Sequence, residues 1–130
     1  MIMSDVLDGR GMRAAVMGEP FVELAMRSAN GFTLPLQEFI NDHAWGSVWL
    51  REGISLKLRS LVTIAVLTAL KSPKELSGHV RGALNNGCTP EEIQEVILHC
   101  AVYAGVPASA EGFRVARAVI EEDIPGPVQS

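Results

Sequence analysis

The sequence predicts an all-α fold of six to seven helices. Three observations carry this. Apolar residues recur with the 3.6-residue period of a helix face. Helix start and stop residues punctuate the second half of the chain at short intervals. No stretch alternates apolar and polar residues as a half-buried strand would. At 130 residues the chain fits one domain, 1–130. A domain of that size buries roughly two-thirds of its unfolded surface, enough for a true core.

The N-terminal half is weakly marked. Residues 1–18 scatter their charges and hold no continuous apolar core, so they do not read as a secretory signal. Residues 19–29 and 33–46 read as two helices separated by Asn30-Gly31. Residues 45–53 read as a turn or loop carrying Trp45 and Trp49.

Punctuation sharpens after Gly53. Ser55 can cap a helix running to about Lys71. This helix is apolar on most sides and therefore central. Its apolar run, residues 61–70, is interrupted by Thr63 and Thr68 and bounded by Arg59 and Lys71, so it is too short and too polar to span a membrane. Ser72-Pro73-Lys74-Glu75 then supplies an N-cap, a proline at the first helical position and a capping-box glutamate. That helix ends at Asn85-Asn86-Gly87, where glycine suits the left-handed position after a C-cap. Thr89-Pro90-Glu91-Glu92 repeats the start signal and opens a helix whose Ile93, Val96, Ile97, Cys100, Ala101 and Ala104 share one face. Gly105 closes it, and Pro107 begins a last helix reaching about Asp123. Residues 124–130, with two prolines and a glycine, cannot continue a helix and are expected to be mobile.

Composition narrows the function classes. Hydrophobic residues make up 48% of the chain and mean hydropathy is +0.21, so a small helical domain has apolar surface to hide against copies of itself. A homo-oligomer is expected. The net charge of −4, with dispersed basic residues, argues against a nucleic-acid surface. Cys88 and Cys100 are the only cysteines and form no CxxC, which suits reduced thiols in the cytoplasm. His43, His79 and His99 share no i,i+3 or i,i+4 spacing, so no local metal motif exists and no metal or other cofactor is expected.

Several segments occur together in order: Ala44-Trp45-Gly46 with Trp49 and Arg51; Arg59-Ser60-Leu61; His79-Val80-Arg81-Gly82-Ala83-Leu84-Asn85-Asn86-Gly87; Thr89-Pro90-Glu91-Glu92-Ile93; and Tyr103-Ala104-Gly105-Val106-Pro107-Ala108. From Gly9 to about Glu122 the chain resembles the 4-carboxymuconolactone decarboxylase family, within a broader alkylhydroperoxidase-like group. The resemblance implies an oligomer of three or six subunits. It also implies cofactor-independent decarboxylation of a small carboxylated lactone to the enol-lactone of 3-oxoadipate, a step in the breakdown of protocatechuate by the β-ketoadipate route. The chain departs from the family pattern at Ser47, where an acidic residue is usual, and at Ala110, where asparagine is usual; both positions bear on the substrate. The alkylhydroperoxidase branch carries a CxxC ahead of the histidine matching His79, and Ser72 and Glu75 stand at those positions here. A dithiol cycle needs two thiols within bonding reach, so peroxide chemistry of that kind is not expected.

In the implied reaction the departing electron pair flows through a C=C bond into the lactone carbonyl. The protein must hold a dicarboxylate, stabilise an oxyanion and return a proton to a ring carbon. His79 is the first choice for proton donor or oxyanion stabiliser. Glu75, at i−4, can meet it on one helix edge, orient the imidazole and favour its protonated form. The bland alternative is a buried histidine satisfied by a capping glutamate. Arg51 and Arg59 are candidate carboxylate clamps, since a guanidinium grips a carboxylate with two parallel hydrogen bonds. Arg59 sits in a first helical turn, unfavourable for a cation against the helix dipole. Either arginine can instead serve a surface or interface ion pair. Arg81, about 200° around the helix from His79, reaches a site only across a subunit boundary. Trp45 and Trp49 can wall a flat lactone or anchor a subunit contact. His99 and Tyr103, also i and i+4, are secondary candidates able to pair with each other. Rival readings are a related lactone- or peroxide-processing enzyme of the same fold, or a non-catalytic oligomeric binding protein.

Overall fold

The computed structural model describes residues 7–123, so the expectation of a mobile tail over 124–130 lies outside the described residues. Every regular element among the described residues is helical, and the chain divides into two compact units between Leu56 and Lys57.

The first unit opens with a helix that the sequence reading did not anticipate. Asp8 is extended and its side chain accepts the Gly11 N–H at 2.8 Å, starting α1 (Gly9–Met17). Gly18, at φ +101°, turns the chain directly into α2 (Glu19–Ser28), with Pro20 in its first turn. The expected break at Asn30-Gly31 is a turn held by the Asn30 side chain, which accepts the N–H groups of Phe32 and Thr33 at 2.9 and 3.0 Å. Then comes α3 (Leu34–Phe39), which runs without interruption into a ten-residue π-helix (Ile40–Trp49). The single helix expected over 33–46 is thus two windings in series. The loop expected over 45–53 is helical as far as Trp49. Trp45 and Trp49 are buried with Met12, Val16 and Met17, flanked by Leu7, Ile40, Leu50 and Leu56. Tertiary packing decides this segment, because its local pattern carries neither cap nor period.

The second unit follows the sequence reading closely. It comprises α4 (Leu56–Leu70), α5 (Pro73–Asn85), α6 (Pro90–Tyr103) and α7 (Val106–Asp123). Ile64, Leu76, Val80, Ala83, Ile93, Ile97, Val115, Ala116 and Val119 form its core. Thr89 caps α6 with a full capping box: its Oγ1 accepts the Glu92 N–H at 3.1 Å, and its own N–H donates to Glu92 Oε1 at 2.9 Å. Gly87, at φ +89°, ends α5. Its N–H donates to the Leu84 carbonyl, and the Cys88 N–H to the Ala83 carbonyl, as in a Schellman motif.

Ser72 does not act as expected. Its side chain makes no cap hydrogen bond, because its backbone closes the preceding helix: Lys71 is left-handed at φ +57°, and the Ser72 N–H reaches back to the Leu67 carbonyl at 3.0 Å. Helix α4 also differs from a centrally buried rod. It turns Ser60, Ile64 and Thr68 inward, while Leu58, Val62, Val66 and Leu70 on the opposite face are between 49% and 67% exposed.

Candidate functional site

In the first unit a cleft of about 760 Å³ opens beside the end of the π-helix. Met12, Ala15, Trp49 and Leu50 give it apolar walls, and Arg51, Glu52 and Ser55 bring polar groups to it. Two sequence-predicted residues, Trp49 and Arg51, therefore meet in one concavity. Trp45 is 4% exposed and stacks behind Trp49, with ring centroids 4.5 Å apart and planes 23° apart. It backs the wall; the cleft lining has Trp49. A cleft with apolar walls and a few convergent polar groups suits a small organic acid.

Helix α1 packs against the π-helix that carries that wall. Arg13 is 6% exposed and donates from Nη1 to Gln37 Oε1 and Asn41 Oδ1, each at 3.0 Å. Burial, and then the neighbouring charge of Arg10, pulls the Arg13 pKa below its ordinary value. Sequence reasoning missed Arg13, Gln37 and Asn41. They lie 24 and 28 positions apart along the chain, and no local spacing connects them.

In the second unit α5 places His79 half-buried on the edge of the stripe Leu76, Val80 and Ala83, with Nδ1 screened from solvent. Glu75 is exposed in the first turn and belongs to none of the ion pairs among the described residues. Arg59, in the first turn of α4, is half-buried with Nε screened from solvent. Both groups thus keep a polar atom away from bulk water, where electrostatic interactions strengthen. Arg81 turns toward α7, as its angular offset from His79 requires. It donates to the Val119 carbonyl at 3.5 Å and lies 3.7 Å from Glu122, a suitable seat for a cation near a helix C-terminus. His99 and Tyr103 do pair, their ring centroids 5.0 Å apart, and both are exposed.

Another groove, of about 490 Å³, runs along α6 and α7 past Ile97, Phe113 and Ile120. It contains none of the candidate site residues read from the sequence. Its arginines, Arg114 and Arg117, already face Glu111 and Glu121 on their own helix. Cys88 and Cys100 are free and buried, and burial pushes both thiol pKa values up, which disfavours the reactive thiolate. Among the described residues no three His, Cys, Asp or Glu side chains gather as a metal site, and no helix is long and apolar enough to cross a membrane. Of the two positions departing from the expected pattern, Ser47 is exposed and donates to the Asp42 carbonyl at 3.3 Å, and Ala110 is exposed on α7.

Comparison with known proteins follows the same lines. Residues 35–118 match the sequence model described as the carboxymuconolactone decarboxylase family. A 4-carboxymuconolactone decarboxylase of Acinetobacter baylyi is 45% identical over 114 residues, covering 88% of this chain and 85% of that protein. A nitrosuccinic acid decarboxylase of Metarhizium robertsii is 44% identical over 115 residues, covering 88% of this chain and 80% of that one.

Proposed function

The chain belongs to the carboxymuconolactone decarboxylase family, and from that premise we propose that it is a carboxy-lyase converting 4-carboxymuconolactone to the enol-lactone of 3-oxoadipate. The observation that carries this is the near full-length 45% identity to a decarboxylase named for that substrate. In the reaction one carbon–carbon bond breaks and carbon dioxide leaves. The electron pair moves through the ring double bond into the lactone carbonyl, and a proton then adds to the ring carbon beside that carbonyl. The substrate is its own electron sink, so the chain's residues need only bind, orient and move a proton.

In the first unit, Trp49 and the apolar wall of the cleft would take the flat ring, and Arg51 would hold a carboxylate. The second unit offers its own set of groups for the same tasks, His79 as proton donor or oxyanion stabiliser and Arg59 as a carboxylate clamp, both with polar atoms kept from water. Glu75 stands one turn before His79 on the same helix and is the candidate to orient its ring. A proton donor of this kind contributes roughly 10²–10⁴ in rate. We further propose a cytoplasmic homo-oligomer of three or six copies; the exposed apolar face of α4 supports association as such.

A second reading comes from the nitrosuccinic acid decarboxylase, almost equally similar. Nitrosuccinic acid is also a dicarboxylic acid whose carboxyl can leave into an adjoining electron acceptor, there a nitro group. Both substrates ask for the same carboxylate clamps and the same proton. The deciding experiment incubates purified protein with each acid and follows carbon dioxide release. Turnover of the lactone in preference to nitrosuccinate is expected; release no faster than in buffer from the lactone would remove the main reading.

A further inference from the structure

Among the described residues Arg13 is the one charged side chain that the fold buries, and its hydrogen-bond acceptors are neutral amides. Burying a cation without a carboxylate is costly, so the position asks for a reason. The reason lies in what Arg13 bridges. Gln37 belongs to α3 and Asn41 is the second residue of the π-helix, so the guanidinium spans the junction where the winding changes. The Asn41 amide is held at its other end too, its Nδ2 lying 3.5 Å from Met26 Sδ on α2. One turn before Arg13, Gly9 lets α1 lie flush on the same place: a Cβ there would stand 1.8 Å from the Asn41 carbonyl oxygen and 2.7 Å from the Gly46 nitrogen.

A π-winding is rare and does not sustain itself over ten residues on propensity alone. Tightening to an α-helix at Ile40 would rotate every later residue about the axis, and the largest displacement would fall at Trp49 and Arg51. Those two line the cleft. The stacked tryptophans, four positions apart, report the same winding.

We propose that Arg13 is a positioning residue: by clamping Gln37 and Asn41 across the helix junction, it fixes the winding that presents Trp49 and Arg51 to the cleft, and so sets how tightly a carboxylate is held there without touching it. This rests on the cleft being where substrate is held. Lysine keeps the charge but lacks the planar fork that reaches two amide oxygens at once. Arg13→Lys should therefore fold, with unchanged far-UV circular dichroism, while the near-UV signal of the tryptophan pair falls at least twofold. KM for 4-carboxymuconolactone should rise about tenfold with kcat held within about twofold, the mark of lost ground-state binding. Gln37→Leu, which removes one acceptor at a half-buried position, should shift both readouts in the same direction by less, and it decides the matter should Arg13→Lys not fold. An unchanged KM in a folded variant overturns the proposal, whatever the tryptophan signal does. If the unsubstituted protein binds the lactone without turning it over, the decarboxylase reading fails and the dissociation constant takes the place of KM. If it does neither, both readings fall.

Discussion

The catalytic proposal turns on one side chain whose surroundings are neither core nor open solvent. His79 lies at the margin of the apolar stripe of α5, with Nδ1 screened and the residue half-buried. A core histidine would contribute packing alone; a proton donor would contribute to turnover. His79→Gln keeps polarity and approximate size while removing the titratable proton, so it separates the two. Turnover of 4-carboxymuconolactone is expected to fall roughly 10²–10⁴-fold, with the thermal midpoint close to that of the unsubstituted chain. A lowered midpoint with intact turnover would make His79 structural. Its place on the helix was readable from sequence, because the period of Leu76, Val80 and Ala83 fixes where position 79 must lie. Glu75 stands one turn before it, as the spacing required, with an exposed side chain.

At the scale of elements, legibility follows whether a structure is decided locally. The start of α6 is decided by four consecutive residues, and the structure reproduces its capping box atom for atom. Gly87 ends α5 by its backbone freedom, again a local property. The π-helix is packed by Gly9 against Asn41 and Gly46 and tied by Arg13 to Gln37 and Asn41, partners distant along the chain, so its sequence reads as helix and then loop. For α1 a usable signal was present: Asp8 three residues before Gly11 is an N-cap, obscured by the glycines around it.

The α6 cap also makes a pH prediction. Lys57, 2.9 Å away, and then the Thr89 N–H hold the Glu92 carboxyl below its ordinary value of 4.5. The folded state therefore favours the carboxylate. The stabilisation is present above the ordinary value and is lost as pH falls through the depressed one. Glu92 in turn raises Lys57 above 10.5, so that share is complete below 10.5 and disappears only in stronger alkali. Glu92→Gln should consequently be less stable than the unsubstituted chain through the neutral range. The gap should close on acidification below the carboxylate range, and added salt should shrink it because the pair is exposed. Denaturant midpoints measured from pH 3 to pH 8 test this. A gap independent of pH would assign the effect to the neutral geometry of the capping box alone.

At the scale of the whole molecule, the apolar composition and the exposed face of α4 make one argument. A helix apolar on nearly every side must be covered on nearly every side. Among the described residues of the second unit, α4 buries the face bearing Ser60, Ile64 and Thr68, and Leu58, Val62, Val66 and Leu70 repeat every fourth residue on the other. Each such side chain is already partly covered, so withdrawing the rest from water contributes on the order of 1 kcal/mol, on both partners alike. Association itself costs roughly 4–15 kcal/mol in lost freedom. A continuous row of four against its like can offset that cost, whereas a row broken by a buried, unpaired carboxylate cannot. Val62→Glu with Val66→Glu places two carboxylates in the middle of the row without touching the inward face, so helicity should persist. In sedimentation equilibrium the unsubstituted protein should show a trimer or hexamer of the 14.0 kDa chain, and the double variant a smaller species. An unsubstituted chain sedimenting as a monomer would leave the stripe without an occupant and end the oligomer proposal. Any loss of turnover in the variant could then be traced only to changes within a single chain.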